Sequence, residues 1–170
     1  MLVKFTAILF LLFLAGCANG EAPAALTEQT VTDSDLYFLA KNTANKTFYK
    51  FSEDTLLKAG NSAHPAPKLR TWYNAKAATQ LDAQGKVVSN PSFPDSTLIV
   101  KEIYTADGSL LLYAVLFKLS SAANKGPGEW VWSEMESNGN ALISASEKGG
   151  GCAGCHSTGV GYTRMNATHP

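Results

Sequence analysis

An α+β domain, a mainly antiparallel β-sheet carrying two or three packed helices, is the architecture predicted for these 170 residues. Three observations lead there. The second half holds "TLIVKEIY" (97–104), "LLLYAVLFKL" (110–119) and "EWVWSEME" (129–136), β-branched and aromatic runs of strand length separated by turn residues. The first two runs are joined by "TADGS", whose Asp107-Gly108 pair is a strong hairpin signal. The first half instead shows helical spacing, with Leu36, Leu39, Ala40 and Thr43 at i, i+3, i+4 and i+7.

The elements follow in chain order. Residues 1–4 give a short basic start, and the run from Phe5 to Leu14 is apolar apart from Thr6. A membrane span needs roughly 20 residues, so this shorter run fits the apolar region of a signal peptide. "LAGC" (14–17) comes next and resembles a bacterial lipobox, at which the cysteine sulfur is acylated. Residues 1–16 are thus expected to be a lipoprotein signal peptide, with Cys17 as the lipidation site; an ordinary secretory signal is the alternative. The expected location is the bacterial periplasm, with the chain anchored by lipid to a membrane, the outer one. Residues 17–32 are small and polar and read as a flexible tether, which leaves 33–170 as one folded domain.

Within that domain the first helix starts at Asp33. A second is expected after Ser52 as N-cap, with Glu53 and Asp54 in its first turn and Gly60 beyond its end. "HPAP" (64–67) interrupts the chain, "KLRTWY" (68–73) reads as a strand, and Asn74 caps a third helix over 75–81. The run 110–119 is apolar on both faces until Lys118, so it is expected at the centre of the sheet, covered on both sides.

Formal charge is balanced, 14 basic against 14 acidic residues, so no preference for nucleic acid follows and none is expected as a partner. With Cys17 assigned to lipid, only Cys152 and Cys155 remain, and both belong to "CAGCH" (152–156). Two thiols three positions apart, followed directly by His156, suit covalent attachment of one c-type haem. Each thiol adds to a vinyl group, and the imidazole reaches the iron as its metal ligand. A zinc site would need four ligands, and the other histidines are His64 and His169. A thioredoxin-like pair would sit between a strand and a helix start, whereas Gly149-Gly150-Gly151 precedes this motif. Met165 reads as a packing residue, while Met135 and His64 are possible sixth ligands.

In this order, "KLRTWYNAKAA" (68–78), "FPDSTLIVKEIY" (93–104), the "WVW" pair (130–132) and the final "CAGCH" with "VGYT" resemble the cytochrome P-460 and cytochrome c′-beta family. The likeness covers the chain from about Leu36 onward. It implies an antiparallel sheet with helices and one haem c, its iron held by His156 and open on the distal side to small nitrogen oxides. In the P-460 branch a lysine is joined to the porphyrin edge and hydroxylamine is oxidised. In the c′-beta branch the link is missing, and nitric oxide or carbon monoxide binds in an apolar pocket lined by phenylalanine. The resemblance also implies a periplasmic electron-transfer partner and a possible homodimer. Simple electron transfer is a third expectation.

The strand 97–104 locates the lysine. Alternation puts Lys101 on one face with Ile99 and Ile103, and Glu102 on the other with Leu98, Val100 and Tyr104. Both faces are otherwise mainly apolar, so at least one charge points into a buried space; a solvated edge or a snorkelling Lys101 is the alternative. Family position selects Lys101 as the cofactor-linked, catalytic candidate. Arg70 is the second catalytic candidate, placed near the distal site or a haem propionate, against a solvated strand arginine. Phe93 is expected to cap the distal pocket or to be plain core. Two departures from the family stand out: Ser96 replaces a glycine after "FPD", and no Asp or Glu follows His156. A proton acceptor would have to come from Glu102, Glu134 or Glu136.

Overall fold

The computed structural model describes residues 29–165. The expected signal peptide, most of the tether and the lipidation site Cys17 lie outside them. Among the described residues seven strands form one antiparallel sheet and three α-helices accompany it, an α+β arrangement. The strands are β1 (Thr47–Phe48), β2 (Leu56–Leu57), β3 (Lys68–Tyr73), β4 (Leu98–Tyr104), β5 (Leu110–Lys118), β6 (Trp130–Glu136) and β7 (Ala141–Ile143). The helices are α1 (Asp33–Asn42), α2 (Ala75–Ala78) and α3 (Gly150–His156). Spatial order is β1-β3-β4-β5-β6-β7, with β2 also paired to β3. Among the described residues no helix is long and apolar enough to cross a membrane.

From β4 to β7 the chain is a meander, each strand pairing with the next. β5 is central, and both of its faces are covered: Val115 packs toward α1, Leu116 toward the opposite side. Register assigns every residue of the sheet to a face, because residues directly opposite point the same way. Thr71, Lys101, Ala114, Glu134 and Ile143 form one row across five strands. The neighbouring row is Arg70, Glu102, Tyr113 and Met135, on the other face.

α1 covers that second face. Thr32 caps it through Asp35 N–H (3.2 Å), and the Asp35 carboxylate accepts from Thr32 N–H (2.9 Å), a reciprocal box. Leu36 and Ala40 are fully buried against Trp72, Val100, Val115 and Met135. Asp33 pins the helix to the sheet by accepting from Ser133 Oγ (2.9 Å), Ser144 Oγ (2.7 Å) and Ala145 N–H (2.7 Å).

Three expectations need correction. Packing begins before Asp33: Gln29 bridges to Ala122, and Val31 is buried and exchanges two hydrogen bonds with Asn124. The helix expected after Ser52 does not form. Ser52 Oγ accepts from Asp54 N–H, a local turn that competes with helix initiation, and Leu56–Leu57 pairs with β3 instead. α2 has its Asn74 cap, but it ends at Ala78, since Leu81 turns away to bridge Val87. Ser96, where relatives of the resembled family carry glycine, adopts a left-handed φ of 67°. A side chain therefore occupies a conformation that glycine holds more readily.

Candidate functional site

The face opposite α1 carries the chemistry. α3 runs over it with Cys152, Cys155 and His156 at i, i+3 and i+4, spacing that brings all three to one side of a helix. Its start depends on Gly149, whose φ is 92° and whose missing Cβ would lie 3.0 Å from the Trp132 ring. Any other residue there would be strained and would push α3 off the sheet. Past the helix, Tyr162 folds back so that its carbonyl accepts from His156 Nδ1–H at 2.7 Å. Trp130 Nε1–H ties the same loop down by donating to Gly161 O (3.1 Å).

A carbonyl only accepts, so Nδ1 carries the hydrogen and Nε2 keeps the lone pair. Burial pushes the His156 pKa down to about 4 against the hydrogen bond to Tyr162, and the charges of Lys101, His64 and Arg164 act in the same direction as burial. The ring is a neutral imidazole at any physiological pH. It stands edge-on to Trp132, with centroids 5.1 Å apart.

Beside it opens a cavity of about 220 Å³, lined by Cys152, Cys155, His156, His64, Lys101, Glu134 and Arg164, with Asn61, Ser62 and Gly151 among its other walls. A second lobe of about 40 Å³ adds Ile99, Leu116, Trp132 and Met165 and shares Lys101, Glu134, His64 and His156 with the first. Lys101 is only 6% exposed. Burial lowers its pKa to about 8, Arg164 adds to the effect and Glu134 opposes it. Burial also raises the Cys152 thiol, with the charges of Glu134 and Glu147 and the second thiol adding to it. Trp132 Nε1–H, buried at the inner lobe, finds no hydrogen-bond partner among the described residues.

His64 enters from the loop between β2 and β3. Its Nδ1–H donates to Glu134 Oε2 at 3.2 Å, and both side chains are largely shielded, 15% and 17% exposed. Among the described residues no three His, Cys, Asp or Glu side chains converge as a metal-ion site. The geometry therefore offers separate imidazoles around one cavity and no protein-only metal cage.

The residues expected from sequence divide by face. Lys101, Cys152, Cys155 and His156 are brought together. Arg70 is not: it lies on the α1 face, where it donates from Nε (2.8 Å) and Nη2 (2.6 Å) to Glu102 Oε2. Glu102 also accepts from Tyr104 Oη (2.7 Å) and Trp72 Nε1–H (3.0 Å), so the buried carboxylate of β4 is well supplied with donors. Phe93 is core, edge-on to Trp130 at 5.3 Å, and does not line the cavity. Met135 is fully buried under α1, on the wrong side to serve as a sixth ligand. Of the three carboxylates considered, Glu134 alone reaches the cavity.

Arg164 went unforeseen. The signal was present, since it is the single Lys, Arg, Asp or Glu residue after His156. Its backbone packs so closely on Gly159 that a Cβ there would lie 2.3 Å from Arg164 N. Comparisons of the chain with protein-family models, curated proteins and solved structures found no match.

Proposed function

We propose that this chain is an exported monohaem c-type cytochrome of the P-460 and c′-beta kind, which binds or oxidises hydroxylamine or nitric oxide. The observation that carries this reading is the placement of Cys152, Cys155 and His156 on one side of α3 against a single cavity. Covalent attachment needs both thiols on the same side, and ligation needs a neutral imidazole whose Nε2 is free. Cys152, Cys155 and His156 would hold haem there, and its iron would supply a site for a small ligand.

The surrounding residues suit that group. Arg164 offers a cation for its propionates, taking the place expected for Arg70, and the Trp132 N–H, which has no hydrogen-bond partner among the described residues, offers a donor to whatever fills the inner lobe. Glu134 is the proton acceptor at hand for a hydroxylamine-sized ligand. Lys101, with an amine that loses its proton readily, is the candidate for the porphyrin link of the P-460 branch, which would form with loss of two hydrogens to an added two-electron oxidant of the peroxide class. The proposed setting is the periplasm, with a lipid anchor at Cys17, an electron-transfer partner and a possible homodimer.

A second reading, binding of nitric oxide or carbon monoxide without turnover, is favoured by the apolar inner lobe of Ile99, Leu116 and Met165. At about 40 Å³ it has room for a molecule the size of one water or a diatomic gas. Intact mass and the absorption spectrum of the holoprotein separate the two. A mass short of the ordinary c-haem adduct by two hydrogens, with a strongly red-shifted Soret band, selects the P-460 reading. The ordinary adduct, with a spectrum that responds to nitric oxide, selects the second. A spectrum unmoved by nitric oxide leaves electron transfer.

A further inference from the structure

We propose that His64 is a positioning residue: by holding Glu134 it keeps that carboxylate from pairing with Lys101, and so leaves a free base and a free amine facing one cavity. The placement stands on contacts alone, while the use made of the two groups rests on the haem reading above. Lys101 and Glu134 belong to one row of the sheet, separated only by Ala114 of β5. Two strand spacings put their backbones roughly 10 Å apart, a gap that a lysine and a glutamate can close across so small a residue. A buried ammonium ordinarily takes a carboxylate within its reach. Lys101 is only 6% exposed, yet among the described residues it has no ion pair, and Glu134 pairs with His64 instead.

The competitor is firmly placed. His64 lines both lobes together with Lys101 and Glu134, and its Nδ1–H donates to Glu134 Oε2 at 3.2 Å. No hydrogen bond to Glu134 Oε1 is found among the described residues, so that oxygen stays available. The loop that carries the ring is itself tied down. The Lys58 ammonium donates to the His64 carbonyl, Lys58 N–H donates to Pro67 O at 3.0 Å, and Ala66 between the two prolines is buried. Pro65 and Pro67 further limit its conformations. Arg164 faces the pair from the segment after α3, and Cys152, Cys155 and His156 face it from α3. Burial and then Arg164 lower the Lys101 pKa to about 8, and Glu134, held off by His64, offsets only part of that.

The test reads the amine itself, on the full chain without haem, by reductive methylation with formaldehyde and peptide mass mapping, with exposed Lys76 as the internal standard. In the wild type the Lys101 rate is expected to rise with a midpoint near pH 8. In His64→Ala the released carboxylate joins the ammonium, and the midpoint moves up toward the ordinary 10.5. The rate at pH 7 then falls at least about fivefold, since one unit of pKa is about a tenfold change in free amine. His64→Gln, whose amide still donates, is expected to keep most of the wild-type rate. Glu134→Gln removes the carboxylate, so adding His64→Ala to it should change the rate by less than about twofold. His64→Met fills the space without donating and replaces the alanine variant should that fail to fold. Wild-type rates in His64→Ala and His64→Met overturn the proposal. A loss that persists in the Glu134→Gln background does so too, because the loop would then act only on access. A chain that takes up no covalent haem overturns the haem reading, whereas this proposal stands or falls on the methylation rates.

Discussion

Lys101 sits where a charge is least welcome, and its cost can be measured. Its folded pKa of about 8 lies below the ordinary 10.5, so between those values the unfolded chain binds a proton that the folded chain does not. Stability therefore rises with pH through that window, and below pH 8 the full penalty applies, on the order of 3 kcal/mol. Lys101→Met in the haem-free chain is expected to be more stable than wild type by up to about that amount at pH 7. The gain should vanish by pH 10.5, and urea denaturation at the two pH values reads it. Arg70 presents the opposite case. Removing it strips two hydrogen bonds from a buried carboxylate that keeps Tyr104 and Trp72, so Arg70→Ala should cost about 2 kcal/mol. Burial raises the Glu102 pKa, but the hydrogen bonds from Tyr104 and Arg70 and the nearby cations hold it below the usual carboxylate value. Its contribution is present above that usual value and fades as pH falls, so the Arg70→Ala deficit should shrink toward acid pH. The variant's cavity, and any spectrum belonging to it, should be unchanged.

At the scale of elements, α1 is anchored more by one carboxylate than by its own length. Asp33→Ala removes three accepted hydrogen bonds that join the helix to β6 and to the turn at Ala145. A loss of about 2–3 kcal/mol in thermal or chemical denaturation is expected, against about 1 kcal/mol for Thr32→Ala, which loses only the cap. These elements also show what was legible in advance. β4, β5 and β6 could be read because β-branched and aromatic runs bounded by turn residues have few alternatives, and alternation along β4 is enough to separate Lys101 from Glu102. The short pieces could not. Ser52-Glu53-Asp54 has the chemistry of a helix start and equally that of a turn, and only the edge of β3 waiting for Leu56–Leu57 decides between them. The cavity was half visible: the α3 motif announces itself, whereas His64, Glu134 and Arg164 meet only through register and loop return, which no local pattern encodes. Arg70 was misplaced for the same reason, since a strand's pattern does not say which of its faces looks at α3.

For the molecule as a whole, the sheet is a partition. One side holds α1 and the Arg70–Glu102–Tyr104 network; the other holds the cavity and α3. Among the described residues the Arg70–Glu102–Tyr104 network and the His64–Glu134 pair share no hydrogen-bond partner, so their energies should add. The double variant carrying Arg70→Ala and His64→Ala is expected to lose the sum of the single losses to within about 0.5 kcal/mol, measured by denaturant unfolding. Larger coupling would mean that the sheet transmits strain between its faces. The order of the chain adds a last consequence. The final strand closes at Ile143, and α3, which has no buried residue, begins at Gly150. A chain made from its N-terminus can complete the sheet before either thiol emerges. Whatever is joined to Cys152 and Cys155 then meets a finished sheet, and the segment that carries Arg164 and Met165 closes the wall afterwards.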